Sequence, residues 1–426
     1  MNFFNLPHST TLYGLIFTLM LPVAVNANQY ESFSFPREES ITKDGYPTPL
    51  SGKPITKTPI IPKVEGVSLK VYPEHYVPGK ERLAENEMRI TVLGSGGPAP
   101  VRRAQAASGF LVELGNGDNF IFDNGSGTTA NLFSLGIHPA LLDKLFITHL
   151  HLDHSGGIFS LFDAMGWARN TPLHVWGPSG YTPELGTAAF TRNVREAAEW
   201  HVQSKQNVLP TGGTKIVPHE VDISKFSPDN PRQLVYDENE VKIYAFPVVH
   251  TIAGAMGYRL EWKGLVMAYT ADSEPSTFEA EQSKGADVFI HEIMPSSEEF
   301  ALHAKMPLEN AESVMNEHTT PAELGRIFSI AKPRLGVGSH FVLGDALIDT
   351  AFKRWRTTYD GPVLLAHDMT VINVTPEQIV SRQAKTSVLA SPPEAPVLEG
   401  VDMKPGPPSK AQRPSWLTRT RLDYKQ

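Results

Sequence analysis

THLHLDHSGG, residues 148–157, sets three histidines and one aspartate within six positions: His149, His151, Asp153 and His154. Alternation along an extended segment points His149 and His151 to the same side. Asp153 and His154 follow at a bend toward Ser155-Gly156-Gly157, where the backbone can turn sharply. One short segment thus offers two imidazoles to one metal ion and a carboxylate–imidazole pair to a second. Imidazole and carboxylate together suit zinc, and also iron or manganese, whereas calcium takes oxygen alone. A plain hydrogen-bonded polar loop is the competing explanation, and it leaves the spacing unexplained.

Around this segment one arrangement recurs. A short apolar, β-rich run ends directly in a histidine or an aspartate: NFIFD (Asp123), KLFITH (His149), YAFPVVH (His250), LVMAYTAD (Asp272), DVFIHE (His291), RLGVGSH (His340) and VLLAHD (His367, Asp368). Such runs read as buried strands, several of them separated by helical stretches. Polar groups at strand ends converge on one rim of a sheet, where α/β proteins place their sites. Singly, each would be an ordinary polar strand end; seven in one chain argue for convergence. HTTPAELGRIFSIAKP reads as a helix with legible ends. Thr320 caps it, Pro321 suits its first position, and Glu323 completes a capping box. Leu324, Ile327, Phe328 and Ala331 form its apolar face, and Lys332-Pro333 ends it. His318 therefore sits just before a helix N-terminus, which lowers its pKa, while nearby carboxylates raise it. His367 and Asp368 read as turn residues, and His174, His219 and His303 as background.

The chain has 426 residues, 41% hydrophobic and 20% charged, enough for a sizeable core. It has no cysteine, so any metal is held by nitrogen and oxygen. The net charge is −8, which disfavours nucleic acid and anionic lipid as partners. The apolar run LYGLIFTLMLPVAV (12–25) is too short for a stable membrane span, and Val25-Asn26-Ala27 fits signal-peptide cleavage after Ala27. The first 27 residues hold no Lys or Arg, a departure from the usual charged start. An exported, periplasmic protein is expected. Residues 28–88 carry eight prolines and read as an extended, poorly packed lead-in. From 381 a second proline-rich stretch, with eight Lys or Arg against four acids, reads as a disordered tail. The expected organisation is a signal peptide (1–27), the lead-in (28–88), one catalytic domain (89–380) and the tail (381–426). Removing the tail's +4 leaves −12 on residues 1–380, so the expected catalytic body is acidic.

The HxHxDH pattern, followed by an isolated His, an isolated Asp and a last His, resembles the metallo-β-lactamase superfamily. Within it the chain looks most like the ribonuclease Z and arylsulfatase-like branch. ITVLGSGGPAP (90–100), FDNGSGT (122–128), LHVWGPSG (173–180), YTAD, FIHE, HTTPAE and SHF carry the likeness. GPSGYTPELGT and the Trp200-His201 region further resemble metallo-hydrolases associated with guanitoxin biosynthesis. The resemblance implies an α/β fold, an αββα sandwich with two divalent metals, zinc first, at one edge. It implies that His149, His151 and His250 hold one metal, that Asp153, His154 and His340 hold the other, and that Asp272 bridges them. Asp123 would order the HxHxDH loop from behind, His291-Glu292 is a weaker supporting pair, and His318 would serve the leaving group.

Metal coordination lowers the pKa of water from about 15.7 to about 7, and two cations neutralise charge building on an ester's oxyanion. Asp153 can take the water's proton while ligating, and His318 can protonate the departing oxygen. The arm by which ribonuclease Z grips tRNA lies, by resemblance, between the third histidine and the bridging aspartate. Here His250 and Asp272 are only 22 residues apart. The expected function is accordingly an exported dinuclear hydrolase of a small ester, a sulfate ester or phosphodiester first. Ribonuclease Z-like tRNA processing, a lactonase-type activity and a non-catalytic metal-binding protein are the alternatives. Phe159, Phe162, Met165 and Trp167 are candidate walls for an aromatic substrate, with ordinary helix core as the plainer reading. The oligomeric state is open between monomer and homodimer.

Overall fold

The computed structural model describes residues 69–97, 102, 105–168, 170–208, 210–341, 345–387, 404–411 and 413–422. The expected signal peptide, the lead-in before residue 69 and residues 388–403 of the tail lie outside the described residues. In chain order the strands are β1 (His75–Tyr76), β2 (Met88–Gly94), β3 (Gly109–Leu114), β4 (Asn119–Phe122), β5 (Lys144–Phe146), β6 (Leu173–Pro178), β7 (Ile216–Val221), β8 (Gln233–Glu238), β9 (Val241–Pro247), β10 (Met256–Trp262), β11 (Leu265–Tyr269), β12 (Val288–Glu292), β13 (Leu335–Ser339), β14 (Val363–Leu365), β15 (Thr370–Val374) and β16 (Ile379–Ala384). One sheet runs β1-β16-β15-β2-β3-β4-β5-β6-β7 and the other β14-β13-β12-β11-β10-β9-β8.

Strand alternation explains the layering. In β3, Phe110 and Val112 join the core between the sheets, while Leu111 joins a second core on the outer face. In β12, Val288 and Ile290 face the central core and Phe289 an outer one. Both faces of both sheets are thus covered, which is why these strands read as continuous apolar runs. The helices Thr128–Ser134, Ile158–Ala168 and Thr187–Ala197 send Leu132, Ile158, Leu161 and Val194 into one outer core. The helices Pro321–Ala331 and Asp345–Trp355 send Leu324, Ile327, Phe328, Ala351 and Trp355 into the other. This is the αββα sandwich that the resemblance implies. Strands β4 to β7 are parallel, as are β11 to β14, so their C-terminal ends come to one rim.

Two details lie outside the sequence expectation. β1 pairs in parallel with β16, so the expected boundaries at 88/89 and 380/381 cut through one sheet. Beneath β1, Glu87 accepts hydrogen bonds from Tyr72, Ala84 and Asn373, and Arg382 pairs with Glu81. A two-residue strand is too short to show a period, and polar pairing leaves no mark in composition. Among the described residues no helix is long and apolar enough to cross a membrane.

Candidate metal centre

The strand-end residues meet at that rim. Asp123 follows β4, His149 follows β5, His250 follows β9, Asp272 follows β11 and His340 follows β13. The segment after His151 closes into a helical turn, Leu152–Ser155, with the His154 amide donating to the His151 carbonyl at 3.0 Å. That turn, rather than a free bend, sets Asp153 and His154 toward the strand ends. Gly125 lies so close to the Asp153 carbonyl that a Cβ would collide with it, which fixes glycine in FDNGSG. Asp123, Thr251, Ala271 and His340 sit at positive φ (55°, 40°, 54° and 50°), a costly conformation held where the ligating side chains must be aimed.

Three groups of donor atoms overlap: His149, His151, His250 and Asp272; Asp153, His154, Asp272 and His340; Glu292, His318 and His340. Asp272 faces both of the first two. Its Oδ2 lies 3.9 Å from His149 Nε2 and 3.7 Å from His250 Nε2. Its Oδ1 lies 3.0 Å from both His154 Nε2 and His340 Nε2, and Asp153 Oδ2 lies 3.1 Å from His340 Nε2. His154 Nε2 and Asp272 Oδ1 are buried and make no hydrogen bond. Such orphaned atoms are costly unless a cation takes their lone pairs. Around His154 stand Asp272, Asp153 and Asp123, whose charges hold its pKa well above normal although burial opposes it. The arrangement demands positive charge, and the donor set of nitrogen and oxygen fits divalent cations.

The outer atoms of these rings are pinned. Asp123 accepts from Thr148 N (2.8 Å), Tyr269 OH (2.7 Å) and His154 Nδ1 (2.8 Å), which leaves His154 Nε2 for the site. His250 Nδ1 donates to the Glu317 carbonyl at 3.0 Å, and burial pushes its pKa down to about 4, keeping the imidazole neutral. Burial penalises charge on Asp153, but His154 and His340 override it and its pKa falls to about 2.

His318 is 7% exposed and its Nδ1 lies 2.6 Å from Glu292 Oε2. Burial alone would lower its pKa; the Glu292 carboxylate wins and raises it to about 9. The opposing effects read from sequence are thereby resolved in favour of the carboxylate. Glu292 also accepts from the Ser273 amide at 2.6 Å. Its neighbour His291 points away, donating from Nδ1 to the Glu292 carbonyl and approaching Glu279 at 3.5 Å. Consecutive strand residues face opposite sides, so of the pair only Glu292 reaches the site. The sequence offers His291-Glu292 as a joint supporting candidate, and strand alternation with Ile290 decides for Glu292. Asp368 is no mere turn residue: its carboxylate accepts from Ser95 N (3.0 Å), Ala106 N (2.7 Å) and Asn131 Nδ2 (3.1 Å). Phe159 is exposed and Phe162 buried, while the side chains of Met165 and Trp167 lie outside the described residues. His174 and His219 contact each other at 2.8 Å, away from the centre.

Ribonuclease Z of Mycolicibacterium paratuberculosis is 26% identical over 300 residues, covering 67% of this chain and 98% of that protein. Ribonuclease Z of Brevibacillus brevis is 29% identical over 238 residues, covering 48% and 73%. Among solved structures, the short form of human tRNase Z aligns over 68% of this chain and 99% of its own, with TM-score 0.50 and 20% identity. The family model described as Anti-Pycsar protein Apyc1 matches residues 88–310, more than half of the chain. With the αββα layers and the clustered histidines, this places the chain in the Anti-Pycsar protein Apyc1 family, as a metallo-β-lactamase-fold, metal-dependent hydrolase acting on ester bonds.

Proposed function

We propose that the chain is a dinuclear, zinc-dependent phosphodiesterase acting on RNA. One metal would be held by His149, His151 and His250, the other by Asp153, His154 and His340, with Asp272 across both. The observation that carries this is the two-sided Asp272 carboxylate beside the His318–Glu292 pair. The relatives described above are ribonucleases, which moves the reading from a sulfate ester to a phosphodiester. Bound divalent cations supply Lewis acidity and lower the pKa of water. Asp153 takes a proton from the attacking water as its oxygen bonds to phosphorus. His318, held at Nδ1 by Glu292, leaves Nε2 to give a proton to the departing oxygen as the P–O bond breaks.

A second reading, a small phosphodiester, is favoured by the connection between His250 and Asp272. It is the tight hairpin β10–β11, turned at Lys263 and Gly264, both at positive φ, with no room for a protruding arm. The deciding experiment incubates zinc-loaded protein with a tRNA precursor, bis(p-nitrophenyl) phosphate and p-nitrophenyl sulfate in parallel. Cleavage of the precursor supports the RNA reading. Turnover of the diester alone would leave the second, and turnover of the sulfate alone would defeat both. N-terminal sequencing from the native host adds an independent test: a chain beginning at Asn28 would mean export, away from tRNA, and favour the small phosphodiester.

A further inference from the structure

The C-terminal segment has a charge and a placement that the metal centre does not use. Residues 404–422 contain Lys404, Lys410, Arg413, Arg419 and Arg421 and no acid, on a chain whose net charge is −8. The segment is attached to the catalytic body by neutral groups. Pro405 bridges Pro210, Gln206 Nε2 donates to the Pro407 carbonyl at 2.8 Å, and Ser409 Oγ donates to Gln203 at 3.2 Å. None of these contacts neutralises a cation. Lys410, Arg413, Arg419 and Arg421 are exposed and form no ion pair among the described residues. Between them Trp416 is 64% exposed, on the four-residue helix Ser415–Thr418.

The anchoring helix Glu199–Lys205 connects to the site. His201 Nε2 lies 3.1 Å from Asp163 Oδ1 on the helix Ile158–Ala168, which follows HLDHSGG directly. We propose that residues 404–422 are a docking strap for the single-stranded flank of an RNA substrate, an inference that rests on the RNA reading above. Unpaired cations spaced along an exposed surface segment can follow a phosphate chain, and an exposed indole between them can stack on a base. A membrane surface fits less well. The helix is one turn long, too short to set an apolar face against a charged one.

The test uses the full chain carrying K410E, R413E, R419E and R421E together, and separately W416A. Parent and variants are compared for precursor-tRNA cleavage, for turnover of bis(p-nitrophenyl) phosphate, for binding of a labelled single-stranded RNA across salt concentrations, and for binding of phosphatidylserine vesicles. The four-charge variant should raise KM for the precursor at least tenfold, keep kcat on the small diester, and flatten the salt slope of RNA binding by about 3. W416A should weaken RNA binding about fivefold or more without changing the slope. Unchanged KM and unchanged RNA binding, with precursor still cleaved, would overturn the strap and leave the RNA reading standing. A parent that binds the strand through these residues but cleaves no RNA would refute the RNA reading alone. Loss of vesicle binding with RNA binding intact would make the segment a membrane anchor and overturn the proposal.

Discussion

Two buried polar clusters sit in the same sheets, and they are built on opposite terms. Under β1, the cations Lys70, Arg89 and Arg382 face the anions Glu81, Glu87 and Glu113. Arg89 grips Glu113 with two bonds of 2.7 and 2.6 Å, and Arg382 grips Glu81 at 2.8 and 2.9 Å. Charge is balanced within the cluster, and only outlying nitrogens such as Arg89 Nη1 lack a partner. At the rim, Asp123, Asp153, Asp272 and Glu292 pair with no Lys or Arg among the described residues, only with histidines, and atoms at the centre of the cluster are orphaned. A buried cluster that closes its own charge is structure. One that leaves carboxylates uncompensated awaits something from outside.

The contrast can be broken most decisively at Asp272. Asp272→Ala should remove both metals and lower activity by at least about 10³-fold, because one carboxylate faces both donor groups. Elemental analysis showing two ions still bound would end the bridging reading. His318→Ala should retain both metals while kcat falls by roughly 10²–10⁴. The loss should be greater for alkyl than for nitrophenyl leaving groups, which depart without a proton; equal losses would make His318 a structural residue.

The balanced cluster should answer in stability instead. Arg89→Ala leaves Glu113 buried and unpaired and should cost about 3–5 kcal/mol, read by urea unfolding, with metal content unchanged. Lost metal at unchanged stability would erase the distinction between the clusters. Asp123→Asn, which weakens the grip on His154 Nδ1 without touching a metal, should lower zinc affinity about 10–100-fold, measured by competition with a chelator. An unchanged affinity would show that the HLDH turn orients itself.

Local sequence marks carried much of this. The spacing of HLHLDH fixes which side chains share a side, and the apolar runs ending in Asp123, His149, His250, Asp272 and His340 mark strands whose ends bear polar groups. The capping box of HTTPAE shows itself in the Thr320 amide donating to Glu323 at 3.0 Å at the start of the helix Pro321–Ala331. These are short-range constraints, set by backbone period and by groups a few residues apart, so they are written locally.

What lies across the sheet was decided only by folding. The choice of Glu292 over His291 depends on which face of β12 turns to the rim, and the pKa of His318 depends on that choice. The pairing of β1 with β16 joins residues about 300 apart, and no local period records it. The same holds for Asp368, whose partners Ser95, Ala106 and Asn131 come from distant segments. Sequence alone determined which residues are available to ligate and which way neighbouring side chains alternate. The tertiary structure decided which of them meet, because contact across strands is set by sheet order and register, and those emerge only when both cores close.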